Sequence, residues 1–143
     1  MRIVIGSDKK GLGLKNIVLK YLTNKGFAIE DLTPKGDVGF YEASMKVVSI
    51  VLEDPENNKG IIIDEFGVGP FMVADKYKYV ICAELNDEHS AKMTRDHNNA
   101  NVITMGSGIL GDVVACNIAK RFCEAKYSGG RHQIRVDMLN KMG

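Results

Sequence analysis

The chain has 143 residues, 45% of them hydrophobic, with 19 Lys and Arg against 18 Asp and Glu. That size and balance fit one domain, residues 1–143, with a full apolar core, and exclude a basic nucleic-acid surface, a disordered charged tail and a membrane span. The three cysteines, Cys82, Cys116 and Cys123, are odd in number and lack CxxC spacing, so a reduced, cytoplasmic protein is expected, with Cys116 and Cys123, seven apart in a helical pattern, as small buried hydrophobes.

Met1 leads directly into a β-branched run over 2–6, which predicts a strand rather than a signal peptide. Leu12, Leu14, Ile17, Val18, Tyr21 and Leu22 then recur at helical spacing until Gly26. A strand over 28–32 follows. Ala43, Val47, Val48 and Val51 line one side of a helix over about 41–53, stopped by Asp54-Pro55. Further strands are expected over 60–64, 79–82 and 102–105. A short helix begins near Pro70, and another spans about 87–97 behind the capping candidates Asn86 and Asp87. Ile109, Leu110, Val113, Val114, Ile118 and Phe122 mark a helix over 108–126. Residues 131–142, with Ile134, Met138 and Leu139 on one possible face, read either as a frayed terminal helix or, the favoured reading, as a helical arm packing on a second subunit. Strands alternating with helices predict an α/β fold: a Rossmann-like, doubly wound parallel sheet of about five strands with a C-terminal helical arm.

Ligands of such sheets bind beyond the carboxyl ends of strands, and four groups of residues stand out. Gly6-Ser7-Asp8-Lys9 follows the first strand, and Asp64-Glu65-Phe66-Gly67-Val68-Gly69-Pro70 follows the third. The Gly67-x-Gly69 turn offers backbone N–H groups to a phosphate or an oxyanion. It lacks the third glycine of a dinucleotide fingerprint, so NAD is not expected. His97-Asn98 is a natural acid and amide pair just before the fifth strand, although a lone histidine near a helix end also fits a C-cap or surface residue. Arg131 and Arg135, four apart, would share one face of a helix and clamp a phosphate, although two arginines on a tail also fit solvated charge. His89, His97 and His132 do not fall at metal-ligand spacings. Residue chemistry alone thus reaches a small phosphorylated ligand, but no particular substrate.

The strings Ile5-Gly6-Ser7-Asp8, Gly67-Val68-Gly69, His97-Asn98-Asn99-Ala100-Asn101-Val102 and Gly129-Gly130-Arg131-His132-Gln133-Ile134-Arg135-Val136-Asp137 carry a resemblance over nearly the whole length. The chain resembles the family containing ribose-5-phosphate isomerase B and the two subunits of galactose-6-phosphate isomerase. The resemblance implies a dimer or tetramer with active sites between subunits, and an enediolate mechanism without redox cofactor or metal. It implies that His97 assists ring opening, Asn98 holds the sugar or the enediolate, and Arg131 and Arg135 hold the phosphate. It also gives Asp8 a sugar hydroxyl, and the N–H groups from Gly67 to Gly69 the developing oxyanion.

The same resemblance exposes departures. Members with a cysteine base read Cys-Gly-Thr-Gly-x-Gly where this chain reads Asp64-Glu65-Phe66-Gly67-Val68-Gly69; Lys9 stands for histidine and Phe40 for tyrosine. All fall in the half-site beside the base, while His97, Asn98, Arg131 and Arg135 are intact. This asymmetry resembles heteromeric galactose-6-phosphate isomerases, in which a cysteine-bearing B-type partner subunit supplies the base for interconversion of galactose 6-phosphate and tagatose 6-phosphate. Two alternatives remain at this stage: a self-sufficient isomerase with Asp64 or Glu65 as base, and a non-catalytic subunit that binds sugar phosphate.

Overall fold

A computed structural model describes residues 1–143. Five parallel strands, β1 (Ile3–Ser7), β2 (Ile29–Asp31), β3 (Lys59–Asp64), β4 (Cys82–Glu84) and β5 (Val102–Gly106), form one sheet in the order β2-β1-β3-β5-β4. The crossovers are α1 (Leu12–Asn24), α2 (Phe40–Val51), α3 (Val68–Ala74) and α4 (Glu88–Asn98); α5 (Asp112–Glu124) and the arm follow. This is the Rossmann-like, doubly wound arrangement expected from the alternation of patterns. The winding reverses between β1 and β3, so their carboxyl ends flank the crevice of the sheet.

Period-two alternation divides the core between the two faces of the sheet. Ile3, Ile5, Ile61, Ile63, Ile103 and Met105 pack against α1, α4 and α5, while Val4, Ile62 and Val102 pack against α2 and α3. Because both faces are covered, the central strands are mainly apolar, as parallel sheets require, with Ser7, Lys59 and Thr104 as buried polar exceptions. Removing a side chain such as Ile62, fully buried, costs about 2–5 kcal/mol as Ile→Ala. Cys116 and Cys123 are buried in this core, as small hydrophobes are.

Three local readings need correction. The fourth strand is Cys82–Glu84 rather than 79–82, because Tyr79 takes a positive φ of 69° and the Asn101 side chain ties down the connection. Its amide donates to the Tyr79 carbonyl at 2.8 Å, and its oxygen accepts from Ile81 N–H at 2.9 Å. Ile109 and Leu110 precede α5, which starts after Gly111; their N–H groups both turn back to the Gly106 carbonyl. In α1, Ile17 is partly exposed while Lys15 is wholly buried, its ammonium held by Asp31 at 2.7 Å and by the Thr33 carbonyl at 2.8 Å. Thr33 also accepts from Ser7 N–H, so this buried pair fixes the ends of β1 and β2 beneath the Asp8 loop.

Candidate active site

Two clusters of the expected residues form, at opposite ends of the sheet. At the carboxyl ends, the loop after β1 turns tightly, with Asp8 Oδ1 accepting from Gly11 N–H at 2.9 Å. Gly11 lies so close to β3 that a Cβ would fall 2.2 Å from the Ile63 carbonyl oxygen; a larger residue would push this loop off the strand. Asp8 and Asp64 thereby follow adjacent, paired strands.

Asp64 does not face an open cradle. Its Oδ1 accepts from Phe66 N–H at 3.2 Å and Gly67 N–H at 2.5 Å, so the anion on this turn is the chain's own carboxylate. Burial pushes the Asp64 carboxyl above the usual aspartate range; the Gly67 N–H pulls it back, and neighbouring Asp8 pushes it up again. Gly67 is left-handed, φ 79°, and packs against the backbone of Met105, where a side chain would collide. Thr104 Oγ1 donates to the Gly67 carbonyl at 2.7 Å, and Gly108 N–H to the Glu65 carbonyl at 2.7 Å, so the loop is braced from β5. The Phe40 ring fills the space over Gly69, Phe66 is half-exposed, and Lys9 is exposed. Beside this loop a shallow apolar groove of about 360 Å³ lies between α2 and α3, lined by Phe40, Tyr41, Met72, Val73 and Tyr77.

The other cluster lies at the amino ends of the strands. α4 runs back from β4 and delivers His97 and Asn98 as its last two residues. Asp87 caps its start through Ser90 N–H, and left-handed Asn99 ends it. Buried Arg95 clamps that end, its guanidinium donating to Asn99 Oδ1 at 3.0 Å and the Ala100 carbonyl at 2.7 Å. Beneath it, Lys59 donates to the Phe122 and Cys123 carbonyls at the end of α5; burial and Arg95 push its ammonium down to about 8. Sequence reading missed Lys59 and Arg95, because nothing in their spacing distinguishes a buried cation from a solvated one.

After Gly129 and Gly130, both at positive φ, a 3₁₀ turn (Gly130–His132) leads into α6 (Gln133–Lys141). The expected arm therefore exists, and Val136 anchors it, almost fully buried, while Ile134, Met138 and Leu139 face outward. Ser128 N–H donates to the Asp96 carbonyl at 3.0 Å, which ties the start of the arm to α4. Arg131 and Arg135 are exposed on one side without carboxylate partners; Arg135 Nη1 donates to the Arg131 carbonyl at 3.3 Å. The His132 ring stacks on His97, centroids 4.2 Å apart and planes 15° from parallel. Burial, then His97, Arg131 and Arg135, push the His132 imidazole below the usual histidine range.

His97, Asn98, Arg131 and Arg135 thus share one end of the molecule, and Asp8, Asp64, Glu65, Gly67 and Gly69 the other. β5 alone, five residues at about 3.3 Å each, separates them by roughly 16 Å. A sugar phosphate cannot span both within one chain. No three His, Cys, Asp or Glu side chains converge as metal ligands, and no helix is long and apolar enough to cross a membrane.

A family model described as ribose/galactose isomerase matches residues 3–139. The chain is 54% identical over 142 residues to the galactose-6-phosphate isomerase subunit LacA of Lactococcus lactis subsp. lactis, covering 99% of both chains. It is 52% identical to the subunit of the same name from Staphylococcus aureus strain JH9, again over 99% of both. Among solved structures, ribose-5-phosphate isomerase B from Mycoplasma genitalium with bound ribulose 5-phosphate superimposes with a TM-score of 0.92 at 34% identity, covering 98% of this chain and 94% of that one.

Proposed function

The chain belongs to the ribose/galactose isomerase family, and from that membership we propose that it is the subunit of a heteromeric galactose-6-phosphate isomerase that lacks the catalytic cysteine. One observation carries this reading: the chain's two half-sites lie at opposite ends of its sheet, and the base position of one is an aspartate bound to its own loop. A site between subunits joins the His97 end of this chain to the carboxyl-end loops of a B-type partner, which supplies the cysteine.

In that site Arg131 and Arg135 bind the sugar's phosphate, and exposed Asn98 holds a sugar hydroxyl or the enediolate. His97 transfers the proton that opens the ring. The partner's thiolate removes the C2 proton, leaving an enediolate across C1 and C2. Returning that proton to C1, with transfer of a hydroxyl proton from O2 to O1, converts the aldose to the ketose. The outward apolar side of the arm, Ile134 and Met138, and the groove beside Phe40 and Tyr41 are surfaces for the contact between subunits.

The test is reconstitution. The purified chain is expected to show little or no conversion of galactose 6-phosphate to tagatose 6-phosphate, and mixing with a cysteine-bearing B-type subunit creates activity. Robust turnover by the chain alone would overturn the reading in favour of Asp64 or Glu65 as base.

A further inference from the structure

A histidine that must transfer a proton is ordinarily held in place by a hydrogen bond to one ring nitrogen. His97 makes no side-chain hydrogen bond within the chain, and its ring stacks on the face of His132. His132 in turn sits on a held segment. Val136 is buried under the arm, Ser128 N–H is fixed to the Asp96 carbonyl, and Tyr127, Gln133 and Asp137 form a hydrogen-bonded chain at 3.0 and 2.7 Å. The same short segment carries Arg131 and Arg135.

We propose that His132 is a positioning residue: its ring, stacked on His97, holds the imidazole in one orientation beside the arginine pair and leaves both His97 nitrogens free for the sugar. This deepens the proposed function and rests on His97 acting as the ring-opening acid. The consequence is that phosphate recognition and acid orientation belong to one structural unit, so a sugar bound by Arg131 and Arg135 meets an already aligned imidazole. The groups facing His132 are His97 from α4, Arg131 beside it and Arg135 one turn along α6. All three disfavour a charged His132, so at neutral pH the stack offers His97 a neutral ring.

Two measurements test the proposal. In the reconstituted enzyme, His132→Ala is expected to lower kcat roughly 10- to 100-fold, the cost of a misaligned catalytic group, with KM little changed. His132→Phe, which keeps the flat ring and loses the nitrogens, recovers most of that loss. A Phe variant as poor as Ala would overturn the stacking role, and so would a rise in KM with unchanged kcat, which marks a direct substrate ligand. In the isolated chain, NMR titration should show His132 losing its proton below the usual histidine range, and His97→Ala moving it upward. An unmoved His132 titration overturns the stack. This second measurement needs no turnover, so it separates failure of the stack from failure of the isomerase reading.

Discussion

Asp64 offers a quantitative check on the carboxyl-end half-site. Asp64→Ala removes the acceptor that Phe66 and Gly67 N–H groups share. Deleting the acceptor of an intramolecular hydrogen bond of this kind costs about 0.5–1.5 kcal/mol. The loss falls near the middle of that range, about 1 kcal/mol, because burial and Asp8 already disfavour the carboxylate. With an unfolding entropy of about 2.1 cal/mol/K per residue, that lowers Tm by about 3 °C for a chain of this size. Asp64→Asn keeps the acceptor oxygen and removes the charge, so its Tm at pH 7 should equal or exceed the parent's. The folded carboxyl holds its proton more tightly than the unfolded one, so ionisation lowers stability as pH rises just above the usual aspartate range. The advantage of Asn should therefore disappear in acid and return at neutral pH. Thermal melts of parent, Ala and Asn forms at several pH values decide the matter, and an Ala form as stable as Asn refutes the bracing of the loop by the Asp64 side chain. Asp64→Cys extends the logic to chemistry. The thiol reaches the family's base position, yet Glu65, Phe66 and Lys9 persist, so the homomer should stay inactive until Gly, Thr and His replace them; turnover from Asp64→Cys alone would sink that account.

Arg131→Ala combined with Arg135→Ala in the reconstituted enzyme should raise KM for the phosphorylated sugar more than it lowers kcat, because the lost contact serves ground and transition states alike. An unchanged KM removes the pair from the phosphate site. His97→Asn should lower turnover roughly 10²–10⁴-fold, with an open-chain substrate partly spared; equal loss on both substrates would assign His97 to the enediolate step instead. Lys59, with its ammonium pushed down to about 8, binds its proton less tightly folded than unfolded. It should add stability as pH rises above 8, and Lys59→Gln should flatten that part of the pH–Tm profile relative to the parent. Matching slopes would show that the ammonium is not desolvated.

Much of the fold was legible because the patterns were long. The α2 stripe of Ala43, Val47, Val48 and Val51 is buried as a unit, and β3 and β5 fall within a residue of their expected bounds. The short edge strand was displaced because its limits depend on Asn101, about twenty residues away, reaching back to Tyr79 and Ile81. Lys15 was unreadable for the same kind of reason: a lysine in a helix reads as solvated until Asp31 and Thr33 are seen to close over its head group.

The sequence by itself determined the fold class, the family resemblance and the loss of the cysteine at position 64, since patterning and residue identity are local properties. The resemblance implies that His97, Asn98, Arg131 and Arg135 belong to a different half-site from Asp8 and Asp64; the tertiary structure supplies the physical reason, because α4 runs antiparallel to the strands and returns its last turn to the opposite edge of the sheet. Only the fold put the Asp64 carboxylate on its own loop and the His132 ring on His97, contacts that depend on backbone turns at Gly67 and Gly129 rather than on spacing.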